Sequence, residues 1–142
     1  MSGNALLTLV DLRKWYRIKK GIFGAVEYVK AVDGVSFNLR RGEAISLVGE
    51  SGSGKTTLGK TILGLEKPTS GKIIFEGRDL ASLDSKGMAW YRRQTGFVQQ
   101  DPFGALPPFM TVARILEEPM IINKVEKKER RERIYSCVLD TS

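Results

Sequence analysis

Apolar and polar positions fall into short runs along this 142-residue chain, and the runs predict an α/β protein. Leu6 to Leu12 reads as a strand, as do the segment around Tyr28–Val32 and Val35 to Leu39. Ala44-Ile45-Ser46-Leu47-Val48 is an apolar stretch of strand length, entered through a turn at Arg41-Gly42. Leu58, Ile62 and Leu65 then recur at helical spacing, which predicts a helix opening at about Gly54 and stopped by Gly64 and Pro68. Pro68-Thr69-Ser70-Gly71 predicts a turn, and Lys72 to Phe75 a strand closed by Glu76-Gly77. Asp84 or Ser85 is placed to cap a helix over Lys86–Arg93, after which Thr95 to Gln99 returns as a short strand. Asp101-Pro102-Phe103-Gly104 and Pro107-Pro108 form a rigid loop, and Thr111 caps a helix through Glu118 that Pro119 interrupts.

The last segment departs from this pattern. Glu126 to Arg133 is eight consecutive charged residues, with Glu126/Arg130 and Glu129/Arg133 four apart in the favourable order. Ile134 and Val138 give the helix only a thin apolar stripe, so it requires a surface to pack on.

Composition narrows the class: 42% of residues are hydrophobic and 27% charged, with no low-complexity tract and no repeat. No run of about 18 apolar residues is present to span a membrane, and Met1-Ser2-Gly3-Asn4 lacks the basic and apolar regions of a signal peptide. The single cysteine, Cys137, excludes an internal disulfide and fits a reducing cytoplasm. The net charge of +7 is concentrated between residues 13 and 41, where eight basic residues stand against Glu27 and Asp33, a local charge of +6. Trp15 and Tyr16 in that stretch would permit base stacking. No nucleic-acid-binding motif accompanies them, so a solvated loop between two strands is expected and a nucleic-acid partner is not.

The most informative residues are Gly49-Glu50-Ser51-Gly52-Ser53-Gly54-Lys55-Thr56, a complete G-x-x-x-x-G-K-[ST] phosphate-binding loop, followed by Thr57. The glycines allow a tight turn that brings backbone N–H groups onto phosphate oxygens. Lys55 supplies a mobile positive charge for the β- and γ-phosphates, and the Thr56 hydroxyl is a Mg²⁺ ligand. The helix expected from Gly54 would aim its positive end at the same anion. An apolar strand before the loop and a helix after it supply the context the motif needs.

Two further stretches narrow the class of nucleotide protein. Val98-Gln99-Gln100-Asp101-Pro102 lies 45 residues beyond Lys55, and Tyr16 lies 33 residues before Gly49. With Pro68-Thr69-Ser70-Gly71-Lys72-Ile73-Ile74-Phe75-Glu76-Gly77 they make the chain resemble the ATP-binding subunit of ABC transporters, in the peptide and nickel importer branch, from about residue 6 to 139. Leu58-Gly59 after Thr56-Thr57 resembles the second of that system's two unlike ATPase subunits.

The resemblance implies a P-loop NTPase fold of the ABC ATPase type. An antiparallel β-subdomain and the start of the P-loop core would occupy residues 1 to about 100, and the start of a helical subdomain about 101 to 142. It implies ATP and Mg²⁺ as ligands, with Gly49 to Thr57 on the phosphates, Thr56 and Gln100 on the metal, and Gln100 also positioning the attacking water. Tyr16 would stack on adenine; Trp15, adjacent and on the opposite face of an extended chain, is its competitor. Transmembrane permease subunits, a second ATPase subunit and a location on the inner face of the cell membrane are implied as well.

Other parts of the family pattern are missing from these 142 residues. There is no histidine, no Ser-Gly-Gly after residue 54, and Pro107-Pro108-Phe109 stands where the branch has Asn-Pro-Arg. The late string Cys137-Val138-Leu139-Asp140 follows a helical pattern and lacks a second carboxylate. The expectation is therefore the N-terminal part of a longer subunit, inactive in hydrolysis by itself. The alternative is a nucleotide-binding fragment or regulator without catalysis.

Overall fold

The structure is a computed structural model that describes residues 5–20 and 26–139. The expected Gly21–Gly24 part of the basic loop and Asp140 lie outside the described residues. The chain divides into two compact units, up to Phe97 and from Val98 onward.

The first unit is built on a four-stranded antiparallel sheet in the order β2-β1-β3-β4. Its strands are β1 (Ala5–Lys19), β2 (Val26–Arg40), β3 (Ser70–Phe75) and the short β4 (Arg78–Asp79). The two segments expected at 28–32 and 35–39 are one continuous strand, in which Gly34 turns through φ 81°. The strand expected over Leu6–Leu12 runs further and takes in Tyr16, as β1 pairs with β2 out to Lys19 opposite Val26. The pairing of β1 with β3 ends at Arg13 opposite Ser70, so residues 14–19 and 26–32 continue as a two-stranded ribbon. Most of the basic stretch is thus hydrogen-bonded strand rather than loop.

The inward face of β1 changes parity along its length. Leu7 and Leu9 are buried, and the next buried residue is Leu12. Between them Asp11 adopts φ 46° and the register shifts against both neighbouring strands, the signature of a β-bulge. Against this face pack α1 (Lys55–Ile62) and α2 (Ser85–Gln94), giving a core of Leu7, Leu9, Leu12, Val32, Leu58, Ile73, Phe75 and Tyr91. An eight-residue helix such as α1 is marginal alone; burial of Leu58, worth about 1.5–3 kcal/mol, holds it to the sheet. Tyr91, 1% exposed, completes the attachment. Its ring meets Phe75 edge-on at 5.0 Å and its hydroxyl donates to the Ile62 carbonyl at 2.6 Å, occupying an acceptor at the end of α1. Asp84 is the cap of α2, accepting from the Gly87 N–H at 2.8 Å.

Two predicted strands are not strands. Among the described residues, 44–48 and 95–99 pair with no other segment. Val48 is 91% and Val98 87% exposed, and Ile45, Leu47 and Phe97 are about half exposed. Their apolar character suits strands covered on both faces, as in parallel sheets, but a strand exists only where a neighbour accepts its hydrogen bonds. Among the described residues no strand lies alongside either segment, so both stay outside the ladder.

The second unit contains α3 (Pro102–Ala105), α4 (Val112–Ile122) and α5 (Lys127–Leu139). One turn of helix, capped by Asp101, occurs where a loop was expected. Thr111 caps α4 as anticipated, but the helix runs through Pro119 to Ile122. Proline's missing N–H removes one bond within the helix, while the Pro119 carbonyl still accepts from the Asn123 backbone N–H at 3.1 Å and its side-chain amide at 2.8 Å. In α5, Arg133 pairs with Glu129 at 2.6 Å as expected. Arg130 turns instead to Glu117 of α4, at 3.4 Å, so the charged helix finds its packing surface partly through charge.

Candidate functional site

The loop from Gly49 to Gly54 runs directly into α1. Gly52 and Gly54 have φ 80° and 91°, a region that side-chain-bearing residues avoid. At Gly54 a second constraint applies: a Cβ there would stand 1.9 Å from the Ala31 carbonyl oxygen of β2. The loop can approach the sheet this closely only with glycine at that position. The turn is tied internally by the Ser53 N–H donating to the Glu50 carbonyl at 3.2 Å.

Gly54 caps α1 without a side-chain hydrogen bond, and the first turn carries no acidic residue. The first helical bond is from the Leu58 N–H to the Gly54 carbonyl at 2.8 Å. The amides of Lys55, Thr56 and Thr57 therefore lie outside the helical ladder, at the positive end of the helix dipole. They border a cavity of about 160 Å³ lined by Ala31, Gly52, Gly54, Lys55, Thr56 and Thr57. The Lys55 ammonium folds back on the loop, donating to the carbonyls of Gly49 at 2.7 Å and Glu50 at 2.6 Å and to Ser53 Oγ at 3.2 Å. These acceptors are neutral, and a phosphate oxygen carrying full charge competes well for the same donor. Glycine amides, a helix end without an acid and a retractable cation fit a polyphosphate. A larger groove of about 570 Å³, between the 64–71 turn and α2, contains no residue of the motif.

Tyr16 reaches the end of α1 from the ribbon. Its hydroxyl donates to Glu66 Oε2 in the turn after the helix and lies beside the Thr57 hydroxyl. The Glu66 carboxylate, followed by desolvation, pushes the phenol above its ordinary pKa. The same hydrogen bond holds the Glu66 carboxyl below the usual glutamate value, with help from the charges of Lys14 and Lys60. Trp15 faces the other way: its indole N–H donates to Asp33 at 3.1 Å and Lys30 covers its ring at 4.6 Å. The bulge at Asp11 decides which of the two rings faces α1. It puts the even-numbered residues Leu12, Lys14 and Tyr16 on the face toward α1, a consequence that no local pattern in the sequence reveals. Gln100 stands in an exposed bend of the second unit, preceded by Gln99 in the unpaired 95–99 segment.

Sequence reasoning missed three residues that shape the site. Ala31 walls the loop, and Lys14 and Glu66 hold Tyr16. Nothing in their surroundings marks them, because the arrangement joins distant parts of the chain, Ala31 to Gly54 and both Lys14 and Tyr16 to Glu66.

A family model described as ABC transporter matches residues 32–139. The chain is 46% identical over 134 residues to the dipeptide transport ATP-binding protein DppF of Escherichia coli (strain K12), covering 94% of this chain and 40% of that protein. It is 43% identical over 132 residues to the oligopeptide transport ATP-binding protein AppF of Bacillus subtilis (strain 168), covering 91% and 40%. It thus spans 40% of the length of both curated relatives. Among solved structures, the dimeric structure of MJ0796, a bacterial ABC transporter cassette, aligns with TM-score 0.73 at 32% identity, over 92% of this chain and 55% of that one. The cbiO1 structure from Clostridium perfringens aligns with TM-score 0.71 at 27% identity, over 94% and 49%.

Proposed function

Because the chain belongs to the ABC transporter family, we propose that residues 49–57 bind the polyphosphate of Mg·ATP, as part of the ATP-binding subunit of an importer for peptides or nickel. The observation that carries this reading is the cradle itself. Lys55, Thr56 and Thr57, whose amides lie outside the helical ladder, line one cavity with Ala31, Gly52 and Gly54, and the Lys55 ammonium is held only by neutral acceptors of the same loop.

In this reading Lys55 leaves the loop carbonyls for the β- and γ-phosphates, the amides of Gly52 to Thr57 take the remaining phosphate oxygens, and Tyr16 offers a ring face to the base. Thr56, which lines the cavity, is the residue of the cradle that would hold Mg²⁺, whose chemistry would be to neutralise charge on the phosphates. The family resemblance gives Gln100 a part in holding Mg²⁺ and in positioning the attacking water. Transmembrane permease subunits and a second ATPase subunit are the proposed partners, on the inner face of the cell membrane. Two transported peptide classes appear in the names of the relatives, dipeptide and oligopeptide, which supports the peptide assignment.

The test is calorimetric titration of Mg·ATP into the wild-type chain and Lys55→Ala. Removing a charge-assisted phosphate contact is expected to cost about 2–3 kcal/mol of binding free energy. Equal affinities, with unchanged circular dichroism, would refute the assignment.

A further inference from the structure

The ribbon that carries Tyr16 extends past the last pair between β1 and β3, so the sheet alone does not fix the ring relative to the phosphate loop. Side chains do. The Tyr16 hydroxyl donates to Glu66 Oε2, and Glu66 belongs to the turn that closes α1, the helix opening from the loop. Lys14 Nζ lies 3.5 Å from the same Glu66 oxygen, donates to the Lys67 carbonyl at 2.9 Å and stands 5.0 Å over the Tyr16 ring. Thr69 adds a backbone clasp: its N–H donates to the Arg13 carbonyl at 2.7 Å, and its hydroxyl accepts from the Trp15 N–H at 2.9 Å. The side chains of Lys14 and Glu66 are 17% and 25% exposed, so this network is partly withdrawn from water, while Tyr16 itself remains 37% exposed.

We infer that Glu66, together with Lys14, is a positioning residue for the nucleotide base. Glu66 anchors the Tyr16 ring to the same helix that carries the phosphate site, and Lys14 occupies one ring face so that the purine stacks on the other. A pre-set ring loses less freedom when the base arrives, which is where the affinity comes from. The inference rests on the reading that residues 49–57 bind ATP, and it adds the device that fixes the distance between base and phosphate subsites.

Two ligands separate the two claims. ATP uses both subsites, whereas inorganic tripolyphosphate uses only the loop. Glu66→Ala and Tyr16→Phe are each expected to weaken Mg·ATP binding about three- to tenfold and to leave tripolyphosphate affinity unchanged. The double variant is expected to bind no worse than either single one, because both remove one bond. Glu66→Gln, which keeps an acceptor, recovers most of the loss. Wild-type ATP affinity in Glu66→Ala, alongside loss of both ligands in Lys55→Ala, would overturn the positioning role and leave the proposed function standing. Equal losses of both ligands in Glu66→Gln would also overturn it, since that marks damage to α1 rather than to the base platform. Unchanged binding of both ligands in Lys55→Ala would remove the underlying reading itself.

Discussion

Gly52 and Gly54 are both loop glycines with positive φ, yet the structure gives them different consequences on replacement. At Gly52 the backbone angle is 80° and no atom lies within 4 Å of a Cβ, so Gly52→Ala carries the left-handed penalty alone, about 1–2 kcal/mol. At Gly54 the angle is 91° and the new methyl would sit 1.9 Å from the Ala31 carbonyl oxygen. That contact must open by about 1 Å or more, and neither partner is a flexible side chain. One is the start of α1 and the other a strand backbone, so displacement adds about 1–3 kcal/mol, as overpacking does elsewhere. Gly54→Ala is therefore expected to cost about 2–5 kcal/mol in total. For a chain of this length each kcal/mol moves the unfolding midpoint by about 3–4 °C. Paired thermal melts should place Gly54→Ala roughly 3–12 °C below Gly52→Ala, and titration should show its Mg·ATP affinity reduced at least tenfold, because the shifted loop no longer aims its amides at the cavity. A Gly54→Ala protein as stable as Gly52→Ala would refute the close approach of the loop to β2.

The buried Tyr91 makes a second expectation. Burial pushes its phenol up to about 12 from 10.0, so the stability it contributes is complete below pH 10 and is lost as pH rises toward 12. Melts of the wild type across that window should fall more steeply than those of Tyr91→Phe, which at neutral pH loses about 1 kcal/mol with its hydrogen bond to Ile62. A third expectation is that these 142 residues release phosphate from ATP no faster than a Lys55→Ala control. They contain neither a histidine nor a Ser-Gly-Gly sequence, and hydrolysis requires an oriented water with charge stabilisation around it. Turnover above the control that survives repurification would expose a catalytic acid among them.

What the sequence by itself determined is the chemistry that neighbouring residues complete among themselves. The phosphate loop is of this kind: Gly49 to Thr56 are consecutive, and their amides, ammonium and hydroxyl need only a helix start to converge. The caps at Asp84 and Thr111 and the Glu129–Arg133 pair are equally local, each joining residues no more than four positions apart. Tertiary structure decided everything that required a distant partner. Tyr16 rather than Trp15 faces α1 because a bulge at Asp11 reverses the strand's parity, and Tyr16 finds Glu66 fifty residues away. Ala31 makes glycine obligatory at position 54 only because the fold lays β2 beneath the loop. The apolar run 44–48 carries a strand's composition but no strand's hydrogen bonds. Side-chain periodicity is written along the chain, whereas a β-ladder belongs to two segments at once and forms only where the fold supplies the second.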